Sequence, residues 1–115
     1  MQKLSVIIPV GNEIHNIKDV INSVKFADEI IVVDSYSNDG TYEEIKKMNV
    51  KVLRRKYEYS ASQKNWAIPQ AKFDWILLVD ADERVSLKLK NEIQEKLKLT
   101  KNQNSGYWIG RENYF

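Results

Sequence analysis

The sequence contains no cysteine, which excludes disulfide bonds and thiolate chemistry. No apolar run approaches the roughly 20 residues that a membrane-spanning helix needs. The N-terminal stretch MQKLSVIIPV has neither the longer apolar region nor the small-residue cleavage site of a signal peptide, so we expect a first strand there. No internal repeat, low-complexity tract or linker is visible. These absences fit a cytoplasmic protein.

The composition predicts one small globular domain spanning residues 1–115. Apolar residues make up 43% and charged residues 30% of the chain, as in soluble proteins. Three tryptophans, Trp66, Trp75 and Trp108, can contribute to a core. The net charge of +2 and the isoelectric point of about 8.7 are too mild to indicate a nucleic-acid partner, and we expect none.

Apolar segments typical of strands alternate with segments whose apolar spacing is helical. Asn12 is a candidate N-cap of the first helix and Ser86 of the last, and Pro69 should disturb the third. The predicted strands cover 3–10, 28–35, 50–55, 76–79 and 107–115, and the predicted helices 11–24, part of 37–48, 60–71 and 86–99. This alternation predicts right-handed βαβ units, and therefore an α/β fold with a mainly parallel sheet and flanking helices.

Polar clusters follow three of the predicted strands, at residues 9–13, 34–40 and 80–83. Ligands of parallel α/β sheets bind beyond the carboxyl ends of the strands. We therefore expect the three clusters to meet at one edge of the sheet.

The stretch DWILLVDADERV carries a buried strand directly into three acids, Asp80, Asp82 and Glu83. Like charges this close repel, and a cation would remove the repulsion. Asp80 and Asp82 are hard oxygen ligands that suit Mg²⁺ or Mn²⁺, with diphosphate oxygens completing the coordination shell. The alternative is a strand end with solvated acids beside a helix N-terminus.

Other polar residues could contact a nucleotide, although each has a plainer explanation. Asp34 could accept hydrogen bonds from a base or ribose, while residues 38–40 are also ordinary turn chemistry. Asn12 and Glu13 could lie beside an anion at a helix N-terminus, or Asn12 could simply cap that helix. Lys64 could approach a diphosphate, or be a surface lysine.

Taken together, four segments resemble the inverting family 2 glycosyltransferases of the GT-A fold. In chain order they are LSVIIPVGNEIHNI, ADEIIVVDSYSNDGT, SASQKNWAI and WILLVDADERV. They are most similar to the bacterial branch that adds glucose during lipopolysaccharide core synthesis. That branch carries V-D-S-x-S-x-D-G-T, Q-(K/R)-N and D-A-D-E at similar separations. The resemblance spans almost the whole chain and implies a Rossmann-like fold that binds a nucleotide-diphospho-sugar.

The resemblance implies a role for each matched residue. Pro9, Asn12 and Glu13 would line the nucleotide pocket. Asp34 would bind the uracil or ribose, with Asp39 close by, and Lys64 would lie near the nucleotide-sugar. Asp80 would contact ribose or metal, and Asp82 would ligate Mg²⁺ or Mn²⁺. The implied reaction transfers a hexose, glucose in this branch, from a UDP-sugar to a glycan or lipopolysaccharide-core acceptor with inversion. The metal would assist departure of the diphosphate.

Two departures from the family pattern bear on these expectations. Gly11 stands where the family usually has an aromatic residue, and Ile14 where a second Glu is frequent. The chain also stops at GRENYF, about where the acceptor half should begin. We therefore expect the N-terminal, donor-binding part of a longer enzyme, with the general base outside these residues. Apolar surface left exposed at 107–115 would favour self-association.

Other classes of function remain as alternatives. The short length is also compatible with a fragment that binds a nucleotide-sugar without catalysis, or with a remnant that binds nothing. A haloacid-dehalogenase-type phosphatase shares a strand ending in D-x-D, but Arg84 occupies the place of its Thr or Val. A receiver domain would need an acidic pair after the first strand. An acceptor in a membrane would imply peripheral contact at its inner face. Residues 54–56 (RRK) could contact phosphate or an anionic membrane surface, or simply be a solvated strand end.

Overall fold

The computed structural model describes residues 2–99, 106–109 and 113–114, with side chains described up to residue 98. Within these ranges the chain forms six strands and four helices. In chain order they are β1 (Leu4–Val10), α1 (Ile17–Ser23), β2 (Glu29–Asp34), α2 (Thr41–Lys46), β3 (Lys51–Arg54), α3 (Ser60–Ala67) with a 3₁₀ turn (Ile68–Gln70), β4 (Trp75–Leu78), α4 (Leu87–Leu99), β5 (Gly106–Ile109) and β6 (Asn113–Tyr114).

The six strands form one sheet in the order β3-β2-β1-β4-β5-β6. Strands β1 to β5 are parallel, and only β6, at the edge, runs antiparallel to its neighbour β5. The central strand β1 is apolar except for Ser5, as expected of a strand that is covered on both faces. The predicted mainly parallel sheet with flanking helices is therefore confirmed.

The sheet separates two hydrophobic cores, because successive side chains of a strand point to opposite faces. The core beneath α1 and α4 includes Val6, Ile8, Val32, Leu77, Val20 and Ile93. The core beneath α3 includes Ile7, Ile31, Val33, Ile76 and Ala67. Burial of these apolar side chains is the main favourable contribution to the stability of the fold.

The first helix begins later than its apolar spacing predicted. Residues 11–16 form a loop, Asn16 is the N-cap of α1, and the proposed capping role of Asn12 is wrong. Asn12 has φ 53°, a left-handed conformation that asparagine tolerates better than most residues. Its backbone N–H donates to the Ser37 hydroxyl instead of joining a helical turn.

The other elements agree closely with the sequence, except at the end of the chain. Ser86 caps α4, since its hydroxyl accepts the Leu89 N–H at 3.1 Å, and Pro69 lies in the 3₁₀ turn that follows α3. The single strand predicted over 107–115 is instead two short strands, β5 and β6. The side chains of 107–115 lie outside the described residues, as does the apolar surface expected there. No helix in the described part of the chain is long and apolar enough to cross a membrane.

Candidate functional site

A cavity of about 510 Å³ lies at the carboxyl edge of the sheet. Its described lining consists of Pro9, Val10, Gly11, Asn12, Glu13, Ser35, Tyr57, Ser60, Gln63, Asp80, Ala81 and Asp82. The structure thus brings together the residues that follow β1 and β4, as the sequence predicted. Asp34, Asp39 and Lys64 do not belong to this lining.

The lining is acidic. Three carboxylates, those of Glu13, Asp80 and Asp82, border the cavity, and the described lining contains no Lys, Arg or His. A small anion entering alone would be repelled, whereas a cation or a cation–anion complex would be attracted.

The three acids after β4 have different partners. Glu83 folds back on the turn: its Oε1 accepts the Asp80 N–H at 2.8 Å, and its own N–H donates to the Asp80 carbonyl at 3.0 Å. The Arg84 guanidinium donates to the Ala81 carbonyl at 2.8 Å and fixes the turn from the other side. Glu83 therefore shapes the turn, while Asp80 and Asp82 border the cavity.

Asp80 and Asp82 also differ from each other. Asp80 forms an ion pair with Lys64 of α3, with 3.7 Å between Oδ1 and Nζ. Lys64 is mostly covered, with 22% of its side chain exposed. It does not line the cavity, and its connection to the site is the ion pair with Asp80. The exposed Asp82 carboxylate has no ion-pair or hydrogen-bond partner among the described residues. It is the carboxylate available to a cation.

These side chains fit a metal ion that shares its ligands with a phosphate group. Among the described residues, no group of three or more His, Cys, Asp or Glu side chains is placed to hold a metal by itself. Mg²⁺ in phosphate-transfer sites is usually held by one or two carboxylates, with phosphate oxygens and waters filling the remaining positions. Asp82, with Asp80 beside it, supplies that number of carboxylates.

Asp34 lies behind the cavity wall and is fully buried, with 0% of its surface exposed. Its carboxylate accepts the Ser37 N–H at 3.1 Å and the Ser37 hydroxyl at 2.6 Å. It also accepts Arg54 Nε–H at 3.1 Å, from the neighbouring strand β3. In this arrangement the oxygens of Asp34 are used within the protein.

Asp34 nevertheless influences the cavity through Ser37. The Ser37 hydroxyl, bonded to Asp34, accepts the backbone N–H of Asn12 at 2.8 Å. The Asn12 side-chain oxygen in turn accepts the Asn38 N–H at 2.8 Å. The loops after β1 and β2 are therefore tied together, and the shape of residues 9–13 depends on a buried carboxylate.

Asp39 makes a second connection between the same two loops. Its Oδ1 accepts the N–H and the hydroxyl of Thr41, and its Oδ2 accepts the Ile14 N–H at 3.2 Å. The hydrogen bond from the Thr41 hydroxyl is the largest cause of the lowered pKa of Asp39. Gly40 caps α2 with φ 98°, a conformation that favours glycine. The contacts are those of the capped turn that the sequence also suggested.

The sequence assigned no role to the lining from the β3–α3 side of the cavity, although the matched segment SASQKNWAI begins there. Tyr57, Ser60 and Gln63 lie there. The rule that located the other loops applies here too, since this segment follows the carboxyl end of a parallel strand.

The two arginines at the end of β3 are not the solvated strand end suggested by the sequence. The Arg54 guanidinium carbon lies 3.4 Å from the centre of the Tyr42 ring, in addition to its bond with Asp34. Arg55 donates to Ser62 and Gln63 of α3. Both guanidinium groups are occupied by contacts within the protein.

Comparison with known proteins assigns the family. The family described as "Glycosyl transferase family 2" matches residues 5–114, and the chain belongs to this family. An uncharacterized glycosyltransferase of Rickettsia bellii is 43% identical over 94 residues, which are 81% of this chain and 32% of that protein. The SPbeta prophage-derived glycosyltransferase SunS of Bacillus subtilis is 40% identical over 91 residues, 75% of this chain and 21% of that protein. The chain thus spans a third or less of these two relatives.

Solved structures show the same fold. Mannosyl-3-phosphoglycerate synthase from Rubrobacter xylanophilus has a TM-score of 0.64 and 22% identity, covering 72% of this chain and 31% of that one. Glucosyl-3-phosphoglycerate synthase from Mycobacterium tuberculosis, crystallised with Mn²⁺, UDP and glucosyl-3-phosphoglycerate, has a TM-score of 0.60 and 24% identity. The match covers 70% of this chain and 34% of that one. The chain has the Rossmann-like GT-A fold. The phosphatase and receiver alternatives are dropped with this assignment.

Proposed function

We propose that these residues form the donor site of an inverting glycosyltransferase that binds a UDP-hexose together with Mg²⁺ or Mn²⁺. The observation that carries the proposal is the acidic cavity at the carboxyl edge, in which Asp82, beside Asp80, has no ion-pair or hydrogen-bond partner within the described part of the chain. Family membership supplies the class of reaction, and the cavity supplies the place for the donor.

The charge of the cavity supports binding of a metal–diphosphate in place of free diphosphate. The cavity has three bordering carboxylates and no cation in its described lining, so a divalent ion bound with the diphosphate would offset the repulsion between them. Bound there, the metal would supply positive charge to the departing diphosphate. Lys64 lies one ion pair away, on Asp80, and adds positive charge near the diphosphate.

The nucleoside would lie along the wall formed by Pro9, Asn12 and Glu13. Asp34 and Asp39 hold this wall from behind, through Ser37 and the Ile14 N–H. Direct contact between Asp34 and the uracil or ribose would require the Ser37 hydroxyl to give up its bond with Asp34.

The complete protein would transfer the hexose, glucose by resemblance, to a glycan or lipopolysaccharide-core hydroxyl in a single displacement. The general base and most of the acceptor site would lie outside these residues, which span a third or less of the two relatives. A lipid-linked acceptor would bring the protein to the inner face of the cytoplasmic membrane.

The test is calorimetric titration of UDP with and without Mn²⁺, using the wild-type chain and Asp82→Asn. Binding should require Mn²⁺ and weaken about tenfold or more in the variant, since an interaction with a charged group is worth about 1.5–3 kcal/mol. Asp28→Asn is the matched control, because Asp28 is an acid at the opposite edge of the sheet. Metal-independent binding, equal binding by Asp82→Asn, or no binding by a folded chain would contradict the proposal.

A further inference from the structure

We infer that the nucleobase of the donor stacks on Tyr57. The inference rests on the proposed function and names the surface that the planar part of the donor would cover. Tyr57 lines the cavity and is 57% exposed. An exposed aromatic ring beside a cavity offers an apolar face to a planar ligand. Stacking of a base on such a ring is worth about 1–3 kcal/mol.

No other described residue of the lining can provide that face. Tyr57 is the one aromatic residue among the described residues that border the cavity. The others are acids, amides, serines and small apolar residues. The two aspartates at residues 80–82 suit the metal and diphosphate, which leaves the rest of the lining, including Tyr57, to the nucleoside.

The wall after β1 presents backbone and no aromatic side chain. A Cβ added at Gly11 would lie 2.6 Å from Ser35 Oγ, closer than such atoms approach. Ser35 cannot easily withdraw, because its hydroxyl donates to the Val10 carbonyl at 2.9 Å. Position 11 therefore has little room for a side chain, and within the described lining the aromatic ring comes from the β3–α3 segment.

The segment that carries Tyr57 is held on both sides. Before it, Arg55 donates to the Ser62 hydroxyl at 2.8 Å and to Gln63 Oε1 at 3.1 Å. After it, Glu58 accepts from Arg55 and from Ser62. Gln63, 1% exposed, returns a bond from its Nε2 to the Arg55 carbonyl. The backbone on either side of Tyr57 is thereby fixed to α3, which lowers the entropy cost of placing a ring against a ligand.

Two other tyrosines serve as internal controls. Tyr59 is 62% exposed and Tyr36 is 59% exposed, so both resemble Tyr57 in accessibility. Neither lines the cavity. Tyr59 lies two residues from Tyr57 in the same segment, which makes it the closest match.

The experiment titrates UDP with Mn²⁺, and separately inorganic pyrophosphate with Mn²⁺, into the wild type, Tyr57→Ala, Tyr57→Phe and Tyr59→Ala. Tyr57→Ala should weaken UDP binding about five- to 150-fold. Its pyrophosphate binding should stay within about twofold of wild type, because pyrophosphate has no base. Tyr57→Phe and Tyr59→Ala should bind both ligands as the wild type does, since the first keeps the ring and the second leaves the cavity intact.

The outcomes separate this inference from the proposal on which it rests. Unchanged UDP binding by Tyr57→Ala, an equal loss of pyrophosphate binding, or an equal loss in Tyr59→Ala overturns the role of Tyr57 while the donor site stands. A folded wild-type chain that binds neither UDP nor pyrophosphate with Mn²⁺ overturns both.

Discussion

Two cavities of similar volume lie at opposite edges of the sheet. The one at the carboxyl edge measures about 510 Å³, and the other, at the amino ends of β2 and β3, about 570 Å³. Both contain acidic side chains. The amino-edge cavity also contains basic ones, its charged lining being Lys25, Asp28, Glu29 and Lys47.

The acids of the two cavities are used differently. At the amino edge, Asp28 accepts the Leu4 N–H at 2.9 Å, and Glu29 accepts the Ser5 hydroxyl at 2.7 Å. At the carboxyl edge, Asp82 has no described partner. Volume therefore does not distinguish the two cavities, whereas uncompensated charge among the described residues does.

The largest effect should come from removing the buried carboxylate behind the carboxyl-edge cavity. Asp34→Ala leaves the Arg54 guanidinium and the Ser37 hydroxyl without their acceptor, so the free energy of unfolding should fall by about 3 kcal/mol. Asp28→Ala, at the amino edge, loses one bond to a backbone N–H and should cost about 1 kcal/mol. Urea denaturation followed by tryptophan fluorescence measures both. Equal losses of unfolding free energy would show that the two carboxylates contribute equally to stability, contrary to this prediction.

A second variant tests how tightly the wall of the carboxyl-edge cavity is packed. Gly11→Ala should lower the free energy of unfolding by about 1–3 kcal/mol, because its new Cβ meets Ser35 Oγ. Combining it with Ser35→Ala should recover part of that loss, since the hydroxyl in the way is gone. A double-mutant cycle measures the coupling. Strictly additive losses of unfolding free energy would mean that contact with the Ser35 hydroxyl is not what destabilises Gly11→Ala.

A third variant asks whether Lys64 competes with a metal for Asp80. Lys64→Met removes the positive charge 3.7 Å from Asp80, and should raise the affinity for Mn²⁺ alone about two- to fivefold. Lys47→Met is the matched control, because Lys47 pairs with Glu44 at 3.6 Å and lines the amino-edge cavity. Paramagnetic resonance of free Mn²⁺ follows the titration. Weaker Mn²⁺ binding by Lys64→Met would mean that the lysine supports the metal site.

The smallest effect concerns Asp39, whose pKa is lowered chiefly by the Thr41 hydroxyl. A carboxyl whose pKa is lower in the folded state stabilises the protein above its ordinary value of 3.8, and this contribution is lost as the pH falls through the folded value. Asp39→Asn should therefore be less stable than wild type at neutral pH, with the difference shrinking below pH 3.8. Denaturation across this range measures it. In a Thr41→Val background the effect of Asp39→Asn should depend less on pH, because the hydroxyl is gone while the N–H groups of Thr41 and Ile14 still donate to Asp39.

The sheet could be predicted from the sequence because each strand is marked by a local run of apolar residues. The continuous apolar run at 76–79 predicted β4 within a residue of its observed range, Trp75–Leu78. The same reasoning placed residues 9–13 and 80–83 at one edge before any contact was known. When parallel strands are joined by right-handed βαβ connections, few other placements of the loops that follow them are possible.

The details of the site depend on contacts between residues distant in sequence. Asn12 looks like a helix cap until the Ser37 hydroxyl is known to accept its N–H. Asp34 looks accessible until the register of β2 and β3 places Arg54 beside it. Tyr57 cannot be told from an ordinary surface tyrosine by composition or spacing. In each case the deciding partner lies on another element.

The position of β1 at the centre of the sheet has a consequence for how the chain is made. This strand emerges from the ribosome before both of its neighbours. Leu4 pairs with Trp75, so β1 and β4 can pair only after the chain has been made as far as β4. Closing so long a loop is slow, and until then the side of β1 that pairs with β4 has no partner strand in the nascent chain. Slow translation, low temperature or a chaperone that shields this segment should therefore raise the yield of folded protein.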